Sequence, residues 1–517
     1  MTEWVLAVDL GTSGLKVGAV SVDGSVLATH EVALSTRFLP GGGVEQDTEQ
    51  WWDGVVDAAQ SIAAQGVDTA AVVAVAITGQ YGSTVPVGPD HRAVGPCLIW
   101  ADERGGRYAK AAYGGPAAGY KPTVVAPWLR YTAGLPNPSG SDPSGHALWL
   151  RYGDPRTHRA ARWLLEPVDF LGMRLTGEVA ATPASMVASW LTDNRPGRDP
   201  AYVDKLVQLA RRDPDKLPPL RPSGGVLGTL SARAAAALGL PAGVPVASGV
   251  TDLHAAHCGS GAVGHRQAHF AVSTTSWISC SVPFKKTDVL HQMASVPGLR
   301  PGDYLMIDNQ ETAGASLQWL RDGVLGPGPL LPEGWSPSYD ALVDLAATAE
   351  PGAGGVVFMP WLKGERSPVD DLRLRAGFLN LSLDTDRADL VRAVLEGVAY
   401  DLRWLAEYAD SFAGVRLDPL RVLGGGARST LWCQVYADVL DRRVERVARP
   451  DVAQLRGAAS AALVAIGRIG WDEVPSLVPV DAVFDPCAEH RSLYDDGYAA
   501  FRAAHKRLKS WYHRSAR

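Results

Sequence analysis

The chain is poor in cysteine, and none of its cysteines is placed as a pair. Cys97, Cys258, Cys280, Cys433 and Cys487 are scattered through 517 residues without a C-x-x-C spacing. That argues against a disulfide framework and predicts reduced thiols in the cytoplasm. No apolar run reaches the length of about 18 residues that a membrane span needs. A charged-then-apolar leader is not expected either, because alternating strand residues begin at Trp4. Positive charge is not in excess: 49 Lys and Arg stand against 55 Asp and Glu, a net charge of −6. Neither nucleic acid nor an anionic membrane is therefore expected as the main partner. The one basic stretch, His505 to Arg517, reads as the solvated face and end of a last helix. The whole chain is 46% hydrophobic and 20% charged, ordinary for a globular protein, and long enough for two domains.

The most informative stretch is Asp9-Leu10-Gly11-Thr12-Ser13-Gly14. It joins two alternating apolar runs, Trp4 to Val8 and Leu15 to Val22, and predicts strand, tight turn, strand. Such a turn presents amides and hydroxyls to one point, where a phosphate fits. Asp9 enters that point from the strand end and can hold Mg²⁺ directly or through water. The turn resembles the first phosphate loop of the actin-like ATPases. A second hydroxyl-tipped hairpin is predicted at Gln267 to Val272, Ser273 to Ser276 and Trp277 to Val282. Two such hairpins point to two related halves with a nucleotide between them.

The other elements are read coarsely. Helical spacing runs from Asp47, a plausible cap, to Gln65. Ala71 to Thr78 is a continuous apolar run and predicts a buried central strand. Residues 105–145 are rich in Gly and Pro and predict loops and short helices. Trp163 to Leu175 predicts a helix ending at Thr176-Gly177. Val244 to Ser248 predicts a strand, followed by a turn that places Asp252 at the head of a helix facing a cleft.

Several segments in order resemble the FGGY carbohydrate kinases, from about residue 4 to about residue 470. They are Val5 to Ser13, Ile99-Trp100-Ala101-Asp102-Glu103-Arg104, Arg174 to Glu178, Phe378 to Glu396, and Gly424 to Ser429 with Trp432, Gln434, Ala437 and Asp438. The resemblance implies an α/β fold of two actin-like, ribonuclease H-like domains with an interdomain cleft. It implies a sugar-binding domain over residues 1–249 and an ATP-binding domain over residues 250–517 that ends in a helical tail.

The same resemblance implies roles for residues. Asp252 is expected to be the general base and to touch substrate. Gly11, Thr12, Ser13 and Thr275 are expected on the phosphates of ATP, with Asp9 on Mg²⁺. Gly314, Gln318, Gly425, Gly426 and Ser429 are expected around the nucleoside. Gln80, Tyr81, Trp100, Asp102 and Arg104 are expected in the sugar pocket. Two departures stand out. Thr274 occupies a position that is usually glycine, and Tyr81-Gly82 replaces the Met-His that follows Gln80 in xylulokinases. The resemblance implies conversion of D-xylulose to D-xylulose 5-phosphate, with another ketopentose or a pentitol as the alternative substrate. A non-catalytic sugar or nucleotide sensor on the same fold is the alternative from another class. A homodimer is compatible with the resemblance.

Overall fold

The computed structural model describes residues 2–117, 119–326 and 337–515. β1 (Trp4–Leu10) and β2 (Gly14–Ser21) form the expected antiparallel hairpin, and β3 (Val26–Ala33) extends it. α1 (Thr48–Ala64) begins where the Asp47 side chain accepts from the Glu49 amide, as the sequence predicts. It buries Trp51, Val55, Ala58 and Ile62. β4 (Val72–Gly79) is the apolar run and lies parallel to β1 inside the sheet.

α2 (Pro167–Thr176) ends at Gly177, whose φ of 83° closes the helix. The expectation of a helix from Trp163 needs correction. Trp163–Leu165 is a strand paired with Val85–Val87. Glu166 is extended, and Pro167 takes the first helical turn. A residue before proline is pushed out of the α region, so the helix cannot reach back through Glu166. β5 (Val226–Thr229), β6 (Pro245–Ala247) and β7 (Val250–Thr251) complete the first sheet, with the order β5-β6-β4-β1-β2-β3 and β7 also on β4.

α3 (Asp252–Ser260) carries the chain to a second sheet. Its strands are β8 (Ala268–Val272), β9 (Ser276–Val282), β10 (Thr287–Asp288), β11 (Met293–Pro297), β12 (Tyr304–Ile307), β13 (Leu420–Leu423), β14 (Val444–Val447) and β15 (Val480–Phe484). Their order is β10-β11-β12-β9-β8-β13-β14-β15. The two sheets share a plan. Each hairpin, β1–β2 and β8–β9, has a parallel neighbour on its first strand, β4 or β13.

The long helix α4 (Arg387–Ala413) crosses the second core, and its start is fixed by a capping box between Asp386 and Asp389. α5 (Thr430–Leu440), α6 (Ala453–Ala465) and the terminal α7 (Arg491–Ser515) follow. The basic C-terminal stretch lies in α7 up to Ser515. α6 turns back to the first sheet, where Ala458 and Ala462 share a core with Val5, Ala7, Ala74 and Ala76. It crosses α3 at two glycines. A Cβ on Gly457 would stand 1.8 Å from the Ala255 carbonyl oxygen, and one on Gly259 1.9 Å from that of Ala453. No helix among the described residues is long and apolar enough to cross a membrane.

Candidate active site

The Asp9–Gly14 turn closes on itself through the Gly11 amide, which donates to the Gly14 carbonyl at 2.9 Å. That amide is engaged inside the turn. The Thr12 and Ser13 amides have no protein acceptor among the described residues. Two partners that sequence reading missed or left unconnected hold this turn. Gln46 Nε2 donates to the Thr12 carbonyl at 2.6 Å. Trp100 Nε1 donates to Thr12 Oγ1 at 3.0 Å. Gln80 reaches the same turn indirectly, because its Nε2 donates to Gln46 Oε1 at 2.9 Å.

The second turn, Ser273 to Thr275, has its carbonyls taken up by protein amides. Gly314 N donates to Ser273 O at 2.7 Å, and Ala313 N to Thr274 O at 2.9 Å. Gly314 is needed there, since a Cβ would stand 2.3 Å from the Ser273 oxygen. Thr274 keeps a negative φ, so the missing glycine leaves the turn unstrained. Gly424 and Gly426 close on the same place from β13: a Cβ on either would lie within 2.6 Å of Val272, the residue before the turn. Gly425 has open space in front of it. Thr275, Gly314, Gly425 and Gly426 are thus brought together. Ser429 caps α5 by accepting from Trp432 N at 3.0 Å. Gln318 is exposed one turn along from Gly314.

Asp252 opens α3, where its Oδ1 accepts from Leu253 N at 2.7 Å. Burial pushes its carboxyl up to about 7; the charge of Asp9 adds to the rise, and the Leu253 N–H opposes it. Burial also lifts Asp9, to about 6, against the pull of Lys16. The two carboxyls come from different elements, close enough for the charge of Asp9 to be felt at Asp252, and among the described residues Asp9 accepts no side-chain hydrogen bond. Tyr81 packs against a small cluster that includes Leu253, and desolvation and the Asp252 charge raise its phenol above the usual range.

Asp102 is fully buried. Its oxygens accept from Val44 N at 2.9 Å and from the Arg104 guanidinium at 2.6 Å, and Arg104 also pairs with Glu45 at 2.8 Å. Asp102 and Arg104 thus brace one another and β-hairpin residues 43–46. Glu166 was not foreseen. It lies beneath the 80–83 segment, accepts from Ser83 N at 3.1 Å, and is held well above the ordinary carboxyl range by burial. Its only sequence signal is an acid before the proline that starts α2.

Two like-built halves, each tipped with a hydroxyl turn, with a pair of carboxyls between them, define an actin-like phosphotransferase. The chain belongs to the FGGY family of carbohydrate kinases. The N-terminal domain of that family matches residues 4–259 and its C-terminal domain residues 274–466. A xylulose kinase of Staphylococcus epidermidis is 26% identical over 520 residues, covering 98% of this chain and 97% of that protein. The xylulose kinase of Escherichia coli is 28% identical, covering 97% and 99%. A glycerol kinase of Gloeobacter violaceus is also 28% identical, covering 98% and 97%. Solved structures of a xylulose kinase and of a gluconate kinase, both from Lactobacillus acidophilus, superpose with TM-scores of 0.85 and 0.84. Each is 19% identical; the first covers 99% of both chains, the second 99% of this chain and 100% of its own. At that identity the likeness is one of fold. The chain is an ATP-dependent carbohydrate kinase, an enzyme that transfers phosphate to an alcohol.

Proposed function

We propose that this kinase phosphorylates a small ketose, converting D-xylulose and MgATP to D-xylulose 5-phosphate and ADP. The observation that carries the reading is Asp252, raised to about 7 at the head of α3, beside Asp9 and Tyr81. Its ionised carboxylate takes the proton of the sugar hydroxyl. The freed oxygen forms a bond to the γ-phosphorus, and the bond to the ADP oxygen breaks. The proton moves late in a loose transition state, so placement matters more than base strength.

The Thr12 and Ser13 amides and the second turn at Thr275 hold the terminal phosphates from opposite halves. Gly314, Gln318, Gly425, Gly426 and Ser429 surround the nucleoside. Asp9 suits magnesium, which takes one or two carboxylates together with phosphate oxygens. No group of three or more His, Cys, Asp or Glu residues able to hold a metal is present among the described residues. Magnesium bound there would offset charge on the β- and γ-phosphates. Gln80, Tyr81 and Trp100 line the sugar side, framed by the Asp102–Arg104 pair. Closure of the halves would exclude water and limit ATP hydrolysis.

Another ketopentose or a pentitol is the second reading, supported by Tyr81-Gly82 in place of Met-His. A site built to pair particular hydroxyls discriminates strongly. The test is an ADP-release assay over D-xylulose, D-ribulose, L-ribulose, L-xylulose, glycerol and pentitols. D-xylulose with the highest kcat/KM supports the proposal. Another sugar in first place overturns the substrate, and binding of sugar and ATP without turnover would make the protein a sensor.

A further inference from the structure

Arg366 stands out from its neighbours. Glu365 and Ser367 are completely buried, whereas the Arg366 side chain is 49% exposed. The backbone under it is laced. Glu365 Oε1 accepts from Arg366 N at 2.8 Å and from Glu311 N at 2.9 Å. Ser367 N donates to Asn309 O at 3.0 Å. One buried carboxylate thus sets Arg366 and Glu311 side by side. Their side chains meet, with Arg366 Nε 2.9 Å from Glu311 Oε1. Among the described residues, neither terminal nitrogen of Arg366 nor Glu311 Oε2 has a protein hydrogen-bond partner.

β12 leads the chain toward Glu311. Ile307, its last residue, packs in one cluster with Tyr81 and Leu253. Four residues further on comes Glu311. The Tyr81 phenol accordingly feels the charges of Arg366 and Asp252 together. Asp370, further along the Arg366 loop, adds a second negative charge near the guanidinium.

We infer that Arg366 and Glu311 form a hydroxyl-reading subsite that the second half closes over the sugar, opposite Tyr81. The inference rests on the kinase acting on a small sugar, as proposed above. A guanidinium edge donates and an adjacent carboxylate oxygen accepts, which matches a hydroxyl group or a vicinal diol. Glu311 and Asp370 balance the charge of Arg366, so the subsite selects a neutral sugar over a sugar acid.

The test compares the wild type with Arg366→Ala, Arg366→Lys and Glu311→Gln, using D-xylulose with MgATP and D-gluconate as a competitor. Thermal melting checks that each variant is folded; Arg366 is exposed, and Arg366→Lys keeps its charge. Arg366→Ala is expected to raise the sugar KM at least tenfold, with the ATP KM within twofold of wild type. Arg366→Lys recovers only part of this, because it lacks the planar fork. Glu311→Gln is expected to strengthen inhibition by D-gluconate several-fold. An unchanged sugar KM in Arg366→Ala overturns the inference, as does a rise confined to the ATP KM. If the wild type turns over no sugar of the panel, the kinase substrate reading fails and this inference falls with it. An active wild type with indifferent variants removes this inference alone.

Discussion

Trp100 donates its indole N–H to the hydroxyl of Thr12 at 3.0 Å. The contact joins a residue proposed for the sugar side to the turn proposed for the phosphates, 88 positions apart in sequence. The two proposed sides are therefore joined directly by this hydrogen bond, beside the indirect link from Gln80 through Gln46. Trp100→Phe keeps the ring and removes the donor. One neutral hydrogen bond contributes about 1 kcal/mol, so the ATP KM should rise about fivefold. Steady-state kinetics at saturating sugar measure this, and an unchanged ATP KM would separate the two segments.

Asp252→Asn keeps the hydrogen bond to Leu253 N that starts α3 and removes the base. The turnover number should fall by about a hundred- to ten-thousandfold, the usual weight of a positioned general base. ATP affinity and the melting temperature should stay near wild type. An active Asp252→Asn enzyme would end the assignment.

The pH profile follows from the same carboxyl. Asp252 works ionised, and its value is raised to about 7. Protonation therefore removes the base as pH falls below about 7, and kcat/KM should drop tenfold per unit on that limb. Asp9→Asn removes a neighbouring negative charge, which favours ionisation of Asp252. The acid limb of its residual activity should shift to lower pH; a shift to higher pH would contradict the pairing.

Gly457→Ala tests the crossing of α3 and α6. The added carbon would stand 1.8 Å from the Ala255 carbonyl oxygen, so the helices must separate. Overpacking of this kind costs about 1–3 kcal/mol, and backbone contacts on both sides place this site at the upper end. Urea unfolding measures the loss. Gly467→Ala, beyond α6 with nothing within 4 Å but a φ of 71°, would report backbone strain alone.

Much of the architecture was legible in the sequence because it is locally encoded. The β1–β2 and β8–β9 hairpins show alternating apolar residues around hydroxyl turns. α1 announces itself through Asp47, and β4 through its unbroken apolar run. The one misread element, Trp163–Leu165, has an apolar composition that suits strand or helix equally. Pro167 bars a helix from reaching back through Glu166, and pairing with Val85–Val87 makes the segment a strand.

The site divides in the same way. Asp9, Asp252 and the glycines at 424–426 are visible because chemistry and turn geometry restrict which residue can stand there. Gln46, Glu166, Glu311, Glu365 and Arg366 carry no such local mark. A glutamine that holds the Thr12 carbonyl is indistinguishable in sequence from one on the surface. Glu365 and Glu311 are both acids ahead of the same long helix, yet one is buried under two amides and the other pairs with the half-exposed Arg366 side chain.

The family and the reaction class follow from the linear order of short motifs, each limited by turn sterics and by what a phosphate or a base requires. The tertiary structure alone decides which charges are desolvated and which distant segments share a hydrogen bond. Burial and long-range contact depend on the packing of elements far apart in the chain, which no local pattern encodes. That is why the Asp9–Gly14 turn identifies a kinase, while the partners of Thr12 and the setting of Arg366 emerge only once each half is folded.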